Sequence, residues 1–207
     1  FSAGQGPYVF TGSSFNCSMA TGHLSGAGAA SYAEGDMPAI DRQVVADVLD
    51  RTFDYLSREG DGKRPFDVLR MIQDTMWEGC GLIREGGGIN ATIAELERIR
   101  DEDVPALRLA DVSRCMNTDW QVALALPGMI DCCLADANAS LVRKQSRGGA
   151  FCRTDYPELG EELYNTKTSV DGATFTVETV PINGVVSAEA TLMEARPRVS
   201  FANGFEY

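Results

Sequence analysis

Apolar residues recur at helical spacing in the first half of this 207-residue chain. In Asp41–Glu59 they fall every three or four positions, with charged residues between them. A Gly-Asp-Gly run at 60–62 ends that stretch, and Pro65 opens the next one from the first-turn position that proline favours. We therefore predict two amphipathic helices. Their apolar stripes are Val45, Val48, Leu49, Phe53 and Leu56 in the first helix, and Val68, Leu69, Ile72, Met76 and Cys80, widened by Trp77, in the second.

Two further helical patterns follow. Three consecutive glycines at 86–88 predict the stop of the second helix, and a third apolar stripe runs from Ile89 to Ile99. The fourth helical region extends from about Thr118 to Gln145. Pro127 lies inside it and predicts a kink or a restart, because proline lacks an N–H and clashes with the preceding turn. Packed together, these stripes predict a three- to four-helix bundle with a plain hydrophobic core.

The pattern changes to an alternation of period two after Pro157. Ala173–Val180 alternates and is rich in β-branched residues, which is typical of a strand. Tyr164–Val170 is its candidate partner, with Asp171-Gly172 as the turn of a small hairpin. Glycines and prolines interrupt the remaining tail, whose aromatic end at 201–207 we expect to dock on a surface.

The first 33 residues are rich in Gly, Ser and Ala and almost uncharged. One interpretation is a flexible Gly/Ser linker. The other is a strand ending near Gly6, followed by a helix of small residues that lies close against another backbone or a flat ligand. Apolar residues such as Tyr8, Phe10 and Phe15 favour the second interpretation. We therefore expect the tail of a larger domain whose front part lies upstream.

Composition excludes several classes of partner. A net charge of −12 argues against nucleic acid, which needs a basic face. No apolar run approaches the ~20 residues that span a bilayer, and the first ten residues do not resemble a signal peptide. Six cysteines without a CxxC motif, and the single His23, argue against a zinc or iron–sulfur site made by this chain alone. Scattered cysteines are typical of a reducing compartment, so we expect a cytoplasmic protein.

A basic stretch in this acidic chain, Gln145–Pro157, joins the helical region to the strands. One interpretation is a helix C-cap, with basic residues in the last turn and glycine at the stop. The other is a turn whose glycines at 148 and 149 direct cationic side chains towards a partner element. The cationic residues are Arg143, Lys144, Arg147 and Arg153.

This stretch resembles a motif of a known family. Ser146-Arg147-Gly148, followed by Arg153-Thr154-Asp155-Tyr156-Pro157, is similar to the (E)SRGxHxRxDYP motif of flavoprotein subunits. The family includes succinate dehydrogenase, fumarate reductase, L-aspartate oxidase and adenylylsulfate reductase. Gln145 replaces the usual Glu, Phe151 stands where His is common, and one residue is inserted. The N-terminus agrees, since residues 1–5 resemble the family's closing (L)FAAGE strand and Thr11–Gly26 resembles its last flavin-contacting loop and helix.

The resemblance implies a mainly α fold: a three- to four-helix bundle with a small β-hairpin tail and an N-terminal remnant of an FAD-binding domain. The expected boundaries are 1–35 for the remnant, 36–157 for the bundle and 158–207 for the hairpin and tail. The flavin contacts that it implies are Gln5, Ser13, Ser14, Asn16 and Ser18, whereas Arg147 and Arg153 would brace the bundle against the flavin domain or a partner.

The implied activity is that of an FAD-dependent oxidoreductase passing electrons between a small substrate and an iron–sulfur subunit, in the cytoplasm or peripheral to a membrane complex. This stretch of chain alone should be inactive. Residues 9–11 carry no Arg, although dicarboxylate-reducing relatives have one there, so succinate or fumarate does not follow as the substrate. The alternative is a non-catalytic helical interaction domain with an unrelated Gly/Ser arm.

Overall fold

The computed structural model describes residues 13–33, 39–146, 151–158, 160, 162 and 164–181. Within these ranges the chain is mainly α-helical with two small pairs of strands, as the sequence predicts. The helices are α1 (Ser13–Tyr32), α2 (Arg42–Asp54), α3 (Pro65–Cys80), α4 (Gly86–Arg98) and α5 (Thr118–Val142), and a π-helical turn at Ile99–Asp103 follows α4. The strands are β1 (Ile83–Arg84), β2 (Cys152–Arg153), β3 (Tyr164–Asp171) and β4 (Thr174–Pro181).

The hydrophobic core lies where α3, α4 and α5 meet. Val68 of α3, Leu96 of α4, and Leu126 and Ile130 of α5 are fully buried in one cluster. Each such side chain contributes roughly 1.5–3 kcal/mol by leaving water. The apolar stripes predicted for these three helices are therefore core stripes. One detail of the prediction is wrong, because Trp77 does not widen the stripe of α3 and is instead 75% exposed.

The glycines at 86–88 have a different role from the predicted stop. They form the first turn of α4, whereas α3 ends earlier, at Cys80. Gly88 lies against Gly79 of α3. A Cβ added at Gly79 would come within 1.9 Å of Thr92 Oγ1 and 2.7 Å of the Gly88 carbonyl oxygen. Two helices can approach this closely because there are no side chains between their backbones.

Pro127 does not restart the fourth helix. α5 runs without interruption from Thr118 to Val142, with Pro127 inside it. Proline in a helix interior costs about 3 kcal/mol. Core contacts on both sides of the proline, from Leu126 and Ile130, are fully buried and offset that penalty.

Most of the apolar stripe predicted for Asp41–Glu59 lies outside the core, contrary to the prediction, although Leu56, just after α2, packs against the core. None of the α2 residues is buried, and Val48 and Leu49 are 46% and 49% exposed. The last turn of α2 is held to α5, since Trp120 Nε1 donates a hydrogen bond of 2.9 Å to the Thr52 carbonyl oxygen. Periodicity shows that a helix has an apolar face, but it cannot show whether another element covers that face.

The C-terminal strands form the predicted hairpin. β3 and β4 pair antiparallel from Tyr164↔Pro181 to Asp171↔Thr174. The two loop residues are therefore Gly172 and Ala173, one position later than predicted, and Gly172 has the positive φ of +58° that favours glycine. Phe175 of β4 packs against the helical core, so the hairpin lies against the bundle.

α5 is apolar enough to pass a test for membrane spans by length and composition, with a mean hydropathy of 1.3 over its best window. The expectation that no apolar run approaches this length therefore needs correction. Within the described residues, 28% of this window is buried, and the buried residues of α5 pack against α3 and α4.

Candidate functional site

Arg153 occupies the centre of the basic stretch and is buried. It lies on β2, which pairs in parallel with β1 so that Arg153 is opposite Arg84. Its side chain is only 1% exposed. A buried guanidinium needs charged or polar partners on every side, because an unpaired charge in the interior is very unfavourable.

Asp155 provides the carboxylate partner of Arg153. The guanidinium donates through Nε to Asp155 Oδ1 at 2.8 Å and through Nη2 to Oδ2 at 2.6 Å, which is a bidentate pair. Hydrogen bonding to Arg153 lowers the pKa of Asp155 to about 2, and the same bond raises the pKa of Arg153. Asp155 Oδ2 also accepts a hydrogen bond from the Gly86 N–H at 2.9 Å. A negative charge thus lies at the N-terminus of α4, where the helix dipole favours it.

The other side of Arg153 faces the end of α5. Nη1 donates to the carbonyl oxygen of Ser140 at 2.5 Å and to that of Arg143 at 3.1 Å. These carbonyls belong to the last turn and the C-cap of α5, where a cation is favoured. Arg153 and Asp155 therefore join the end of one core helix to the start of another.

Ser146 connects the two halves of the sequence motif. Its Oγ accepts a hydrogen bond from the Arg153 N–H at 2.9 Å and donates one to the Tyr156 carbonyl oxygen at 2.9 Å. We call Ser146, Arg153 and Asp155 the arginine clamp. Because both ends of the stretch 147–150 are tied into it, the clamp determines where that stretch leaves and re-enters the helical body.

Two more arginines, Arg84 and Arg143, lie beside the clamp. Arg84 donates through Nη1 to Asp136 Oδ2 at 3.1 Å and to the Ser140 hydroxyl. Arg143 donates through Nη2 to the Tyr164 carbonyl oxygen at 3.1 Å and so attaches the hairpin. The Phe151 ring lies 5.1 Å from the Arg84 guanidinium and 6.0 Å from that of Arg143, within cation–π range. The aromatic ring at this position thus lies within reach of both cations.

The structure places the sequence-predicted site residues in different environments. Arg153 is in the clamp, and Ser18 is exposed on α1. The backbones of Ser13, Ser14 and Asn16 belong to α1, as predicted for a helix in this region, but their side chains lie outside the described part. Gln5 and Arg147 also lie outside the described residues, together with the predicted strand near Gly6, the glycines at 148–149, the tail at 190–193 and the aromatic end at 201–207.

The helix C-cap interpretation of the basic stretch is wrong. α5 ends at Val142 and its C-cap is Arg143 in an extended conformation, several residues before the glycines at 148–149. The last carbonyls of α5 do receive a cation, but it comes from Arg153 on another element. Sequence reasoning missed the acceptors at Ser140 and Arg143 and the donor at Gly86. No local signal marks a backbone group as the partner of a side chain that is distant in sequence.

Comparison with known proteins agrees with this geometry. Residues 69–198 match the family model described as the fumarate reductase flavoprotein C-terminal region, which is more than half of the chain. The matched region contains most of α3, all of α4 and α5, the arginine clamp and the hairpin. The chain therefore belongs to the fumarate reductase flavoprotein C-terminal family.

Individual relatives are similar over most of this chain. A fumarate reductase flavoprotein subunit of Mycobacterium tuberculosis is 32% identical over 157 residues, covering 72% of this chain and 26% of the relative. One from Haemophilus influenzae is 28% identical over 126 residues, covering 61% of this chain and 20% of the relative. The chain thus spans about a quarter or less of the curated relatives it matches.

Solved structures support the fold. The Mycobacterium smegmatis Sdh1 complex in the apo form matches with a TM-score of 0.61 and 23% identity, over 72% of this chain and 25% of that one. The Escherichia coli quinol fumarate reductase with the FrdA E245Q mutation matches with a TM-score of 0.62 and 22% identity, over 73% and 26%. At this identity the likeness concerns the fold.

Proposed function

We propose that this chain is the C-terminal part of an FAD-dependent oxidoreductase flavoprotein subunit, with boundaries at 1–35, 36–157 and 158–207. The main support is the family match over residues 69–198, which includes the clamp residues of the SRG and RxDYP motifs. In this proposal the helical body positions and supports a flavin-bearing part that contains the chemistry. The 207 residues alone are therefore inactive.

α1 fits a role beside a flat cofactor. A Cβ added at Gly22 or Gly26 would meet no atom of the described residues within 4 Å, so this small-residue face is open. Gln5, Ser13, Ser14, Asn16 and Ser18 are the proposed FAD-binding residues at or before this face. Bound flavin would supply hydride or electron-pair transfer. The chain itself would offer hydroxyl and amide groups to the polar edge of the flavin, and a surface of small residues to the flavin ring.

Arg147 is proposed to brace the helical body against the flavin part or a partner subunit. The clamp holds Ser146 on one side of it and Arg153 on the other. A cation placed between two fixed anchors loses less conformational freedom when it binds than one on a free loop. The described bonds of Arg153 are made within the helical body, so a bracing role for Arg153 would act through the position that it gives to residues 147–150.

An iron–sulfur electron partner and a cytoplasmic location, peripheral to a membrane complex, complete the proposal. Among the solved relatives in fold are the Sdh1 complex with UQ1 and a quinol-fumarate reductase with menaquinol molecules. Because that reductase holds menaquinol, electron exchange with a membrane-associated partner is the matching role for this chain.

The experiment is to express the complete protein from its gene, including the coding region upstream of Phe1, and to record its flavin absorbance and its turnover with a panel of acceptors such as fumarate. We expect stoichiometric flavin and reduction of at least one acceptor by a reduced dye. The Arg147→Met variant should lose flavin or activity, with Arg70→Met on the exposed surface of α3 as the matched control. A complete protein without flavin, or with an unrelated upstream domain, would instead support the alternative of a non-catalytic interaction domain.

A further inference from the structure

An apolar groove that no described residue covers runs between α3 and α5. It has a volume of about 580 Å³, which is the size of a ligand or peptide pocket. Its walls are Leu69, Ile72, Gln73 and Met76 from α3, and Ala125, Gly128, Met129, Cys132 and Cys133 from α5. Gln73 is the one amide among these side chains, and none of them is charged. Uncovered apolar surface of this kind marks a site of interaction more often than a surface that faces water.

The groove is open along α5. A Cβ added at Gly128 would meet no described atom within 4 Å, Met129 is 42% exposed, and Cys132 is exposed. A backbone or an aliphatic side chain can therefore come close to α5 at this point. With no charge in its walls, the groove suits an aliphatic segment and does not suit an anion or a charged peptide.

We propose that the groove binds residues 182–193 of the same chain. These residues lie outside the described part but inside the region, 69–198, that matches the family model, so they belong to the same family unit as the groove. They are mainly aliphatic, and the one charged residue among them is Glu189. Their larger apolar residues are Ile182, Val185, Val186, Leu192 and Met193.

The position where β4 ends makes this assignment possible. Pro181 lines a shallow pocket together with Val142 and Lys144, so the chain leaves the hairpin beside the C-terminal end of α5. From Val142 back to Cys133 the helix axis rises about 13.5 Å, which about four extended residues can span. Crossing the helix, whose diameter is about 10–12 Å, needs a few more. Leu192 and Met193 therefore have enough chain to reach the groove.

Cys132 provides a reporter inside the groove, and Cys115 provides a control, since it is exposed in the loop before α5 and does not line the groove. The rate of alkylation by N-ethylmaleimide would be measured at both thiols by peptide mass spectrometry on the full 207-residue chain. The tail variant carries Val185→Ser, Val186→Ser, Leu192→Ser and Met193→Ser. The matched control variant carries Phe201→Ser and Phe205→Ser.

We expect Cys132 to be alkylated about tenfold faster in the tail variant than in the parent chain. This factor holds if the segment occupies the groove about nine-tenths of the time and Cys132 reacts only when the groove is empty. Cys115 should be unaffected, and the control variant should behave as the parent chain. An unchanged rate at Cys132 overturns the proposal. A parent rate that rises on dilution also overturns it, because a second copy would then be the occupant.

A crosslink gives an independent test if the tail variant folds poorly. In the Leu192→Cys variant of the full chain, a short bis-maleimide should join position 192 to Cys132. The Phe205→Cys variant should form that crosslink at least several times more slowly. Equal yields from the two positions would overturn the proposal. Neither measurement depends on flavin or on activity, so this inference and the proposed function can fail separately.

Discussion

Replacing Arg153 by methionine tests whether the arginine clamp stabilises the helical body. Methionine fills most of the space of the arginine stem but donates no hydrogen bond. The carbonyl oxygens of Ser140 and Arg143 then lose their charged donor, which had bonded them at 2.5 and 3.1 Å. Hydrogen bonds to charged groups contribute about 1.5–3 kcal/mol each, and breaking a buried charge network costs about 3–5 kcal/mol. We therefore expect the free energy of unfolding to fall by about 3–5 kcal/mol.

The measurement is equilibrium urea unfolding of the 207-residue chain at neutral pH, followed by far-UV circular dichroism. A loss of this size should lower Tm by roughly 10 °C for a chain of this length. Arg70→Met makes the same chemical change at an exposed position of α3 and should stay within about 0.5 kcal/mol of the parent. Arg153→Lys keeps the charge but, lacking the planar fork, should recover less than half of the loss.

The reasoning is refuted if Arg153→Met unfolds within about 0.5 kcal/mol of the parent chain. A double-mutant cycle adds a second criterion. Asp155→Asn should have a clearly smaller effect in the Arg153→Met background than in the parent, because the two side chains share the bidentate pair. Strict additivity of the two substitutions would mean that the pair is not coupled.

Two further predictions follow from the same part of the structure. The pKa of Asp155 is about 2 in the folded chain, below the ordinary value near 3.9, so its contribution to stability is complete above about pH 4 and is lost as the pH falls towards 2. Thermal unfolding across that range should show a shallower acid loss in Asp155→Asn, and identical slopes would contradict the assignment. Gly79→Ala should cost about 1–3 kcal/mol, because the new Cβ would lie 1.9 Å from Thr92 Oγ1 and 2.7 Å from the backbone oxygen of Gly88. Urea unfolding checks this value against Gly87→Ala, whose nearest neighbour is the flexible Glu85 side chain at 3.4 Å, and equal stabilities of the two variants would contradict the close packing.

Local pattern was sufficient for the elements that carry their own signal. Helical periodicity and Pro65 located α3, and the alternation of β-branched residues with Gly172 located the hairpin to within one residue. These signals are local because the residues that share a helix or strand face are close in sequence. The RxDYP half of the motif likewise indicated Arg153 as a functional residue, although its partners could not be assigned from the sequence.

The sequence by itself thus determined the helices, the hairpin and the motif residues of this protein. The tertiary structure decided that the glycines at 86–88 begin α4, that the described residues leave most of the α2 stripe exposed, and that Arg153 is buried between two helix ends. The first and the last of these outcomes depend on groups that are separated in sequence and meet in space: Gly79 with Gly88, and Arg153 with Ser140. These pairs include backbone atoms, which are the same in almost every residue. A pattern of residue types therefore could not predict the contacts.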